Sequence, residues 1–365
     1  MSQDILPELI GSPLPLVDDK NQDHLSKLGW TPIAFAPPNS GATAAVDTTE
    51  LCPPQTSPHP LLHASEALLA NSQKFFDQSV EEKKRWENWR KIPGEKEYII
   101  LQTLEDCPEI LRESAKMYWD WMGKLLEDTL ESIECSLDMK DCGSTKGKQL
   151  LRQFIGPCNT MPTRQKDKTA SLLQLFRYDS CEVKQLTEHH VDSGLLTVVL
   201  GNIPGLEVWG GDRWFEIEKE IKRSGKKEAI MLVGRDLQRL SNGRYPAGLH
   251  RVVSYGVQEP SFAGTESPSM VSPLELISSG NNCHRLSIVF SLRAHGPTII
   301  NSDELETLVT GAWPQRTNGV TAADWFKDDC AKYYDINSPP EEREEARKKQ
   351  QRDILRSDKL IEWNM

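Results

Sequence analysis

The 365-residue chain contains no run of about 20 apolar residues, the length a helix needs to cross a bilayer. Its start, MSQDILPELIGSPLPLVDD, has neither the basic patch nor the apolar stretch of a secretion signal. A cytoplasmic location and no membrane partner are therefore expected. Basic charge is also in deficit: 43 Lys and Arg face 54 Asp and Glu, for a net charge of −11, and no basic stripe offers itself to a phosphate backbone. Nucleic acid is excluded as an expected partner. The eight cysteines are scattered with no Cys-x-x-Cys pair, which argues against a zinc knuckle and against a secreted disulfide scaffold.

What is present reads as a globular enzyme-sized chain. Residues 31–60, rich in Pro, Thr, Ser and Ala, read as an irregular loop. A helix is expected from Leu61 to Phe76, and Ser79 with Glu82 has the spacing of a capping box that opens a second one. From Pro108 to Leu137, apolar side chains at Leu111, Ala115, Tyr118, Met122, Leu125, Thr129 and Ile133 recur every three or four residues, which predicts one long amphipathic helix lying on a sheet. After Ser171 the pattern changes to short β-like runs, LLQLFRY, LLTVVL, LEVW, WFEI, AIMLV, HRVVSY and RLSIVFSL, separated by turn residues. That spacing points to a sandwich or barrel and not to a Rossmann alternation. Residues 258–283 read as a long insertion between two strands. Ser338-Pro339-Pro340 starts a tail helix whose Glu344–Lys348 and Glu345–Lys349 spacings suit an exposed helix with no chemistry.

The chemistry concentrates in HHVDSGLLTVVL, residues 189–200. In a strand, residues two apart share a face, so His190 and Asp192 project together while His189 points away. Of the other histidines, His250 is the best third ligand, because it opens the strand His250-Arg251-Val252-Val253. Two histidines and a carboxylate on one face of an iron leave three positions for an oxo acid and dioxygen, whereas a structural zinc would be closed by a fourth protein ligand, and none offers itself. Downstream, Arg285 and Ser287 share a strand face, a guanidinium beside a hydroxyl that suits a buried carboxylate. Arg177 and Arg235 are either ion-pair residues or contacts for an acidic substrate.

Taken in order, His190-Val191-Asp192-Ser193-Gly194-Leu195-Leu196-Thr197, Gly205-Leu206-Glu207-Val208, Leu237-Gln238-Arg239-Leu240-Ser241-Asn242-Gly243-Arg244-Tyr245, His250-Arg251-Val252 and Arg285-Leu286-Ser287 resemble the signature of the isopenicillin N synthase-like branch of iron(II)/2-oxoglutarate-dependent oxygenases. The likeness covers residues 60–290, including Phe75-Phe76 with Glu81-Glu82-Lys83 and the strand around Tyr178. The resemblance implies a mixed α/β (α+β) fold, a double-stranded β-helix or jelly roll with packed N-terminal helices. It implies three regions: a mainly helical 1–150, a core over 151–300 carrying the insertion 258–283, and a helical extension over 301–365. It also implies iron(II) on His190, Asp192 and His250, and 2-oxoglutarate held by Arg285, Ser287 and Tyr178, with O2 as the oxidant. Three departures stand out: Arg285 lies 35 residues beyond His250, Gly234-Arg235 replaces a Gly-Asp, and Phe176-Arg177-Tyr178-Asp179-Ser180 replaces an Asn-x-Tyr-Pro-Pro.

The expected activity is hydroxylation, desaturation or oxidative cyclisation of a small organic molecule, an amino acid or an intermediate of specialised metabolism. Two alternatives stay open: an iron oxidase of the isopenicillin N synthase type that uses the same Arg and Ser for a substrate carboxylate and needs no 2-oxoglutarate, and a non-catalytic jelly-roll binding protein. The sequence leaves the oligomeric state open; a monomer is compatible with it.

Overall fold

A computed structural model describes residues 7–9, 11–35, 58–139, 149–256, 284–333 and 335–349. In chain order these form α1 (His24–Leu28), β1 (Trp30–Ala34), α2 (Pro60–Phe76), α3 (Val80–Lys83), β2 (Trp89–Ile92), β3 (Lys96–Leu101) and α4 (Glu109–Ser136). There follow β4 (Leu172–Asp179), β5 (Val183–His190), β6 (Leu196–Gly201), β7 (Leu206–Trp209), β8 (Trp214–Phe215), α5 (Ile217–Ser224), β9 (Glu228–Val233), α6 (Arg235–Leu240), β10 (His250–Tyr255) and β11 (His284–Leu292). After β11 come β12 (Ile299–Asn301), β13 (Asn318–Thr321) and α7 (Ala322–Lys332), and 340–349 is helical.

Eleven strands build two facing antiparallel sheets, one of seven in the order β1-β9-β6-β11-β4-β3-β2 and one of four in the order β5-β10-β7-β8, while β12 and β13 pair as a separate two-stranded sheet. This is the expected jelly roll, with helices on one side. Period-two alternation explains how one strand serves two cores. On β9, Ala229, Met231 and Val233 turn to the helices, while Ile230 and Leu232 turn into the space between the sheets. The long helix α4 buries Leu111, Ala115, Tyr118, Met122, Leu126 and Ile133 against the large sheet and α2. Trp119 of α4, fully buried, meets Phe290 of β11 edge-to-face with ring centroids 5.1 Å apart. The capping box is present: Ser79 Oγ accepts from Glu82 N–H and Glu82 accepts from Ser79 N–H, although α3 ends after one turn.

Several expectations need correction. Residues 31–60 are not all irregular, because Trp30–Ala34 pairs with β9 as the edge strand of the large sheet; 36–57 lie outside the described residues. The first 150 residues add three strands to that sheet, so they are more than a helical layer. The insertion 258–283 falls outside the described residues. The tail helix is not merely exposed: Glu344 pairs with Lys348 as expected, but Arg343 is buried against Glu95, and Arg347 pairs with Glu188 on β5 at 2.6 Å. Among the described residues no helix is long and apolar enough to cross a membrane.

Removing the indole that joins α4 to the large sheet should be costly. Trp119→Ala is expected to destabilise the fold by about 3–5 kcal/mol, and the half-exposed Trp121→Ala by under about 1 kcal/mol, as read from denaturant midpoints.

Candidate metal centre

His190 ends β5 and His250 begins β10, and the two stand opposite each other in the ladder. Regular pairing would not put Thr187 and His190 on one face, since they are three residues apart. The register supplies the answer: Val252 faces Thr187 and His250 faces His190, so β5 carries one extra residue there, a bulge that turns both side chains inward. Asp192 lies just past the end of β5, in the bend before β6, so it reaches the site from a turn and not from the strand pleat assumed from sequence.

The three side chains converge: one ligand atom from each of His190, Asp192 and His250 lies within 4.8 Å of the others. Asp192 Oδ1 is 3.8 Å from His190 Nε2, and its Oδ2 is 4.0 Å from His250 Nε2. Both imidazoles are oriented from behind. His190 Nδ1 is 2.7 Å from the carbonyl of Glu188, and His250 Nδ1 is 2.9 Å from that of Gly248. Each Nδ1 therefore donates, and each Nε2 turns its lone pair to the centre. Burial, reinforced by His250, holds His190 below its ordinary pKa and keeps it neutral. Burial pushes Asp192 the other way, but the two imidazoles outweigh it and hold the carboxyl below its usual range. Asp192 Oδ2 is buried with no hydrogen-bond partner. An orphaned carboxylate oxygen facing two imidazole Nε2 atoms is what a divalent cation of the iron or zinc type requires. His189 is exposed and tilted against Trp214, 6.5 Å between centroids, and is not part of the cluster.

The triad opens into a cavity of about 670 Å³, within the size range of small-molecule sites. Val199, Leu206 and Val252 give it an apolar wall, and Tyr178, Thr187 and Ser287 line it with hydroxyls. Burial pushes the Tyr178 phenol up to about 12, against the opposing pull of Arg285, so it stays protonated and able to donate. Arg285 lies behind this wall and does not line the cavity. Its Nη1 donates to the carbonyl of Ile203 at 2.8 Å, and its Nη2 to Glu218 Oε1 at 3.0 Å. Glu218 is itself fixed, its Oε2 accepting from the backbone N–H of Gly205 and Leu206, both at 2.7 Å. Two glycines make room for the guanidinium: a Cβ on Gly201 would fall 1.7 Å from Nη1, and one on Gly205 would fall 2.7 Å from Cδ. The Oγ1 of Thr187, on the cavity wall, and the Nε of Arg285, behind it, are buried without partners. Glu218 is absent from the expectations above; it sits on a short polar helix whose sequence, IEKEIKRS, reads as solvent-facing.

The other singled-out arginines separate. Arg177 is structural, its Nε 2.7 Å from Glu97 and its Nη1 2.8 Å from Asp77, while Arg235 lines the cavity.

A model of the 2OG-Fe(II) oxygenase superfamily matches residues 169–265, the segment that holds all three candidate ligands. That segment is thus similar to the 2OG-Fe(II) oxygenase superfamily. It is 31% identical over 88 residues to probable flavonol synthase 6 of Arabidopsis thaliana, covering 24% of this chain and 28% of that protein. It is 27% identical over 152 residues to the 2-oxoglutarate-dependent dioxygenase ecdK of Aspergillus rugulosus, 39% of this chain and 40% of that one. These matches thus span less than half the length of either relative. A full-length Neurospora crassa protein, solved in complex with alpha-KG and thymine, superposes over 84% of this chain and 88% of its own with a TM-score of 0.54 at 14% identity, a likeness of fold.

Loading the protein anaerobically with iron(II) at about 100 times its Kd should stabilise it by about 2.7 kcal/mol in a thermal melt. Asp192→Ala and His250→Ala are each expected to abolish that shift and the bound iron in metal analysis, with the far-ultraviolet circular dichroism unchanged.

Proposed function

We propose that this chain is an iron(II)- and 2-oxoglutarate-dependent oxygenase acting on a small organic molecule by hydroxylation, desaturation or oxidative cyclisation. The observation that carries the reading is the triad itself: two Nε2 atoms and an orphaned Asp192 oxygen turned to one point at the wall of the cavity. With three protein ligands, a bound iron would keep positions open for co-substrate and dioxygen. When bound, iron and 2-oxoglutarate supply the activation of O2 that no side chain here can perform. The chain's own part is placement. His190, Asp192 and His250 would hold the metal; Ser287 and Tyr178, which line the cavity, would receive the distal carboxylate of the oxo acid, with the Arg285 guanidinium behind them. The apolar wall of Val199, Leu206 and Val252 keeps water from the reacting centre.

A second reading is an iron oxidase of the isopenicillin N synthase type, which would use the same Arg285 and Ser287 for a substrate carboxylate. Arg285 is engaged by Glu218 and stands back from the cavity, which bears on both readings alike.

The two readings differ in one measurement. Iron-loaded protein with 2-oxoglutarate under nitrogen should develop the visible charge-transfer band of the chelate, and release succinate on aeration. Arg285→Ala should raise the KM for 2-oxoglutarate at least tenfold, about 1.4 kcal/mol. Absence of both band and succinate, with O2 uptake independent of 2-oxoglutarate, would establish the oxidase instead.

A further inference from the structure

Arg285, Ser287, Val289, Ser291 and Arg293 are alternate residues of β11 and its continuation, so they share the face turned between the sheets. Ser287, Val289, Ser291 and Arg293 line the cavity. The row therefore begins and ends in a guanidinium, and the two are in different states. Arg285 has a carboxylate partner in Glu218. The guanidinium of Arg293 makes no hydrogen bond or ion pair with a described residue, and its Nε is buried without a partner. Burial lowers its pKa, with Asp236 and Asp192 pulling the other way.

Its surroundings leave it directed at the cavity. The N–H of Leu195 donates to the carbonyl of Leu292 at 2.9 Å, which ties this end of β11 to the turn after Asp192. Cζ of Arg293 lies 4.8 Å from the ring centroid of Phe326, on α7. A second guanidinium belongs to the same cavity wall. Arg235 lines the same cavity, its N–H donates to the carbonyl of Asp192 at 2.7 Å, and its Cζ lies 3.5 Å from the Tyr333 ring centroid. Its guanidinium too makes no hydrogen bond or ion pair with a described residue. An arginine stacked on an aromatic face keeps its planar donor edge free, the edge that matches a carboxylate.

The acidic groups nearby have other roles. Asp192 belongs to the metal triad. Asp329 is bound to Arg239 at 3.1 Å. Asp236 is buried and pushed up to about 7, by burial first and then by Asp329, so near neutrality it carries only part of a charge. Asp335 is exposed at the cavity rim. Arg235 and Arg293 are half-buried, and a partly desolvated cation with no ion-pair partner is suited to an anionic ligand.

We propose that Arg293, with Arg235 beside it, receives a carboxylate of the substrate, which makes the substrate an organic acid. The inference rests on the oxygenase reading above and adds the substrate class. About 26 Å of strand separates the Cα atoms of Arg285 and Arg293, too far for one oxo acid to occupy both. One end of β11 thus serves the co-substrate, the other the substrate, with the metal ligands alongside.

The test uses the protein loaded with iron(II) and 2-oxoglutarate under nitrogen. It is titrated calorimetrically with benzoate, phenylacetate, cinnamate and hexanoate, each beside its primary amide, while the visible band is followed in parallel. Acids are expected to bind and to shift the band, and the amides to bind at least tenfold more weakly. For the tightest acid, Arg293→Met should raise Kd at least tenfold and Arg293→Lys should restore part of the loss. No binding by any acid, equal binding of acids and amides, or a change under twofold in Arg293→Met overturns the proposal. A wild-type protein that shows no band but still prefers acids through Arg293 would overturn the oxygenase reading and leave the carboxylate site standing.

Discussion

The ladder between β5 and β10 is the constraint on which the site depends. Facing His190 and His250 across two strands fixes two ligands by backbone hydrogen bonding, so their separation is set before any side chain rotates. The extra residue in β5 between Thr187 and His190 then decides what else faces inward. Without it, Thr187 and His190 would point to opposite sides, and the cavity would lose either a hydroxyl or a ligand. Asp192 completes the triad from the turn, where the chain leaves one sheet for the other. The metal centre thus sits where the small sheet hands the chain to the large one.

The long-range architecture is legible in the sequence where burial is periodic. Residues recurring at helical spacing place α2 and α4 within one or two residues, because one face of each is buried almost without exception. The triad is legible because an ordered set of motifs accompanies it. Less visible are β2 and β3, since Lys96 and Glu97 look like surface residues and are buried only because of partners far away in sequence. Glu97 is held by Lys83, Trp89 and Arg177, and Lys96 by Asn337. Lys96, pushed down to about 8 chiefly by burial, has a charge that only tertiary structure accounts for. Glu218 escapes notice for the same reason: nothing in a polar eight-residue helix signals that one carboxylate turns back to meet an arginine 67 residues away.

Sequence likeness and fold likeness have different reach in this chain. The match to the superfamily is confined to residues 169–265, where metal chemistry restricts side-chain identity, whereas the backbone likeness to the Neurospora crassa protein extends over 84% of the chain at 14% identity. The physical reason is that a jelly roll needs only alternating burial and antiparallel pairing, which many sequences satisfy, while a three-ligand centre tolerates few substitutions. The parts of the cavity built by α7 and the residues just after it lie beyond the matched segment.

Arg285 is held by Glu218 and by the carbonyl of Ile203, in a slot that Gly201 and Gly205 leave open. An unrestrained arginine loses about 2 kcal/mol of rotamer freedom when it is fixed. In this chain that loss is incurred during folding, so the guanidinium is already immobilised in the finished fold. The same clamp sets a carboxylate against the guanidinium, so the charge of the slot is matched within the chain.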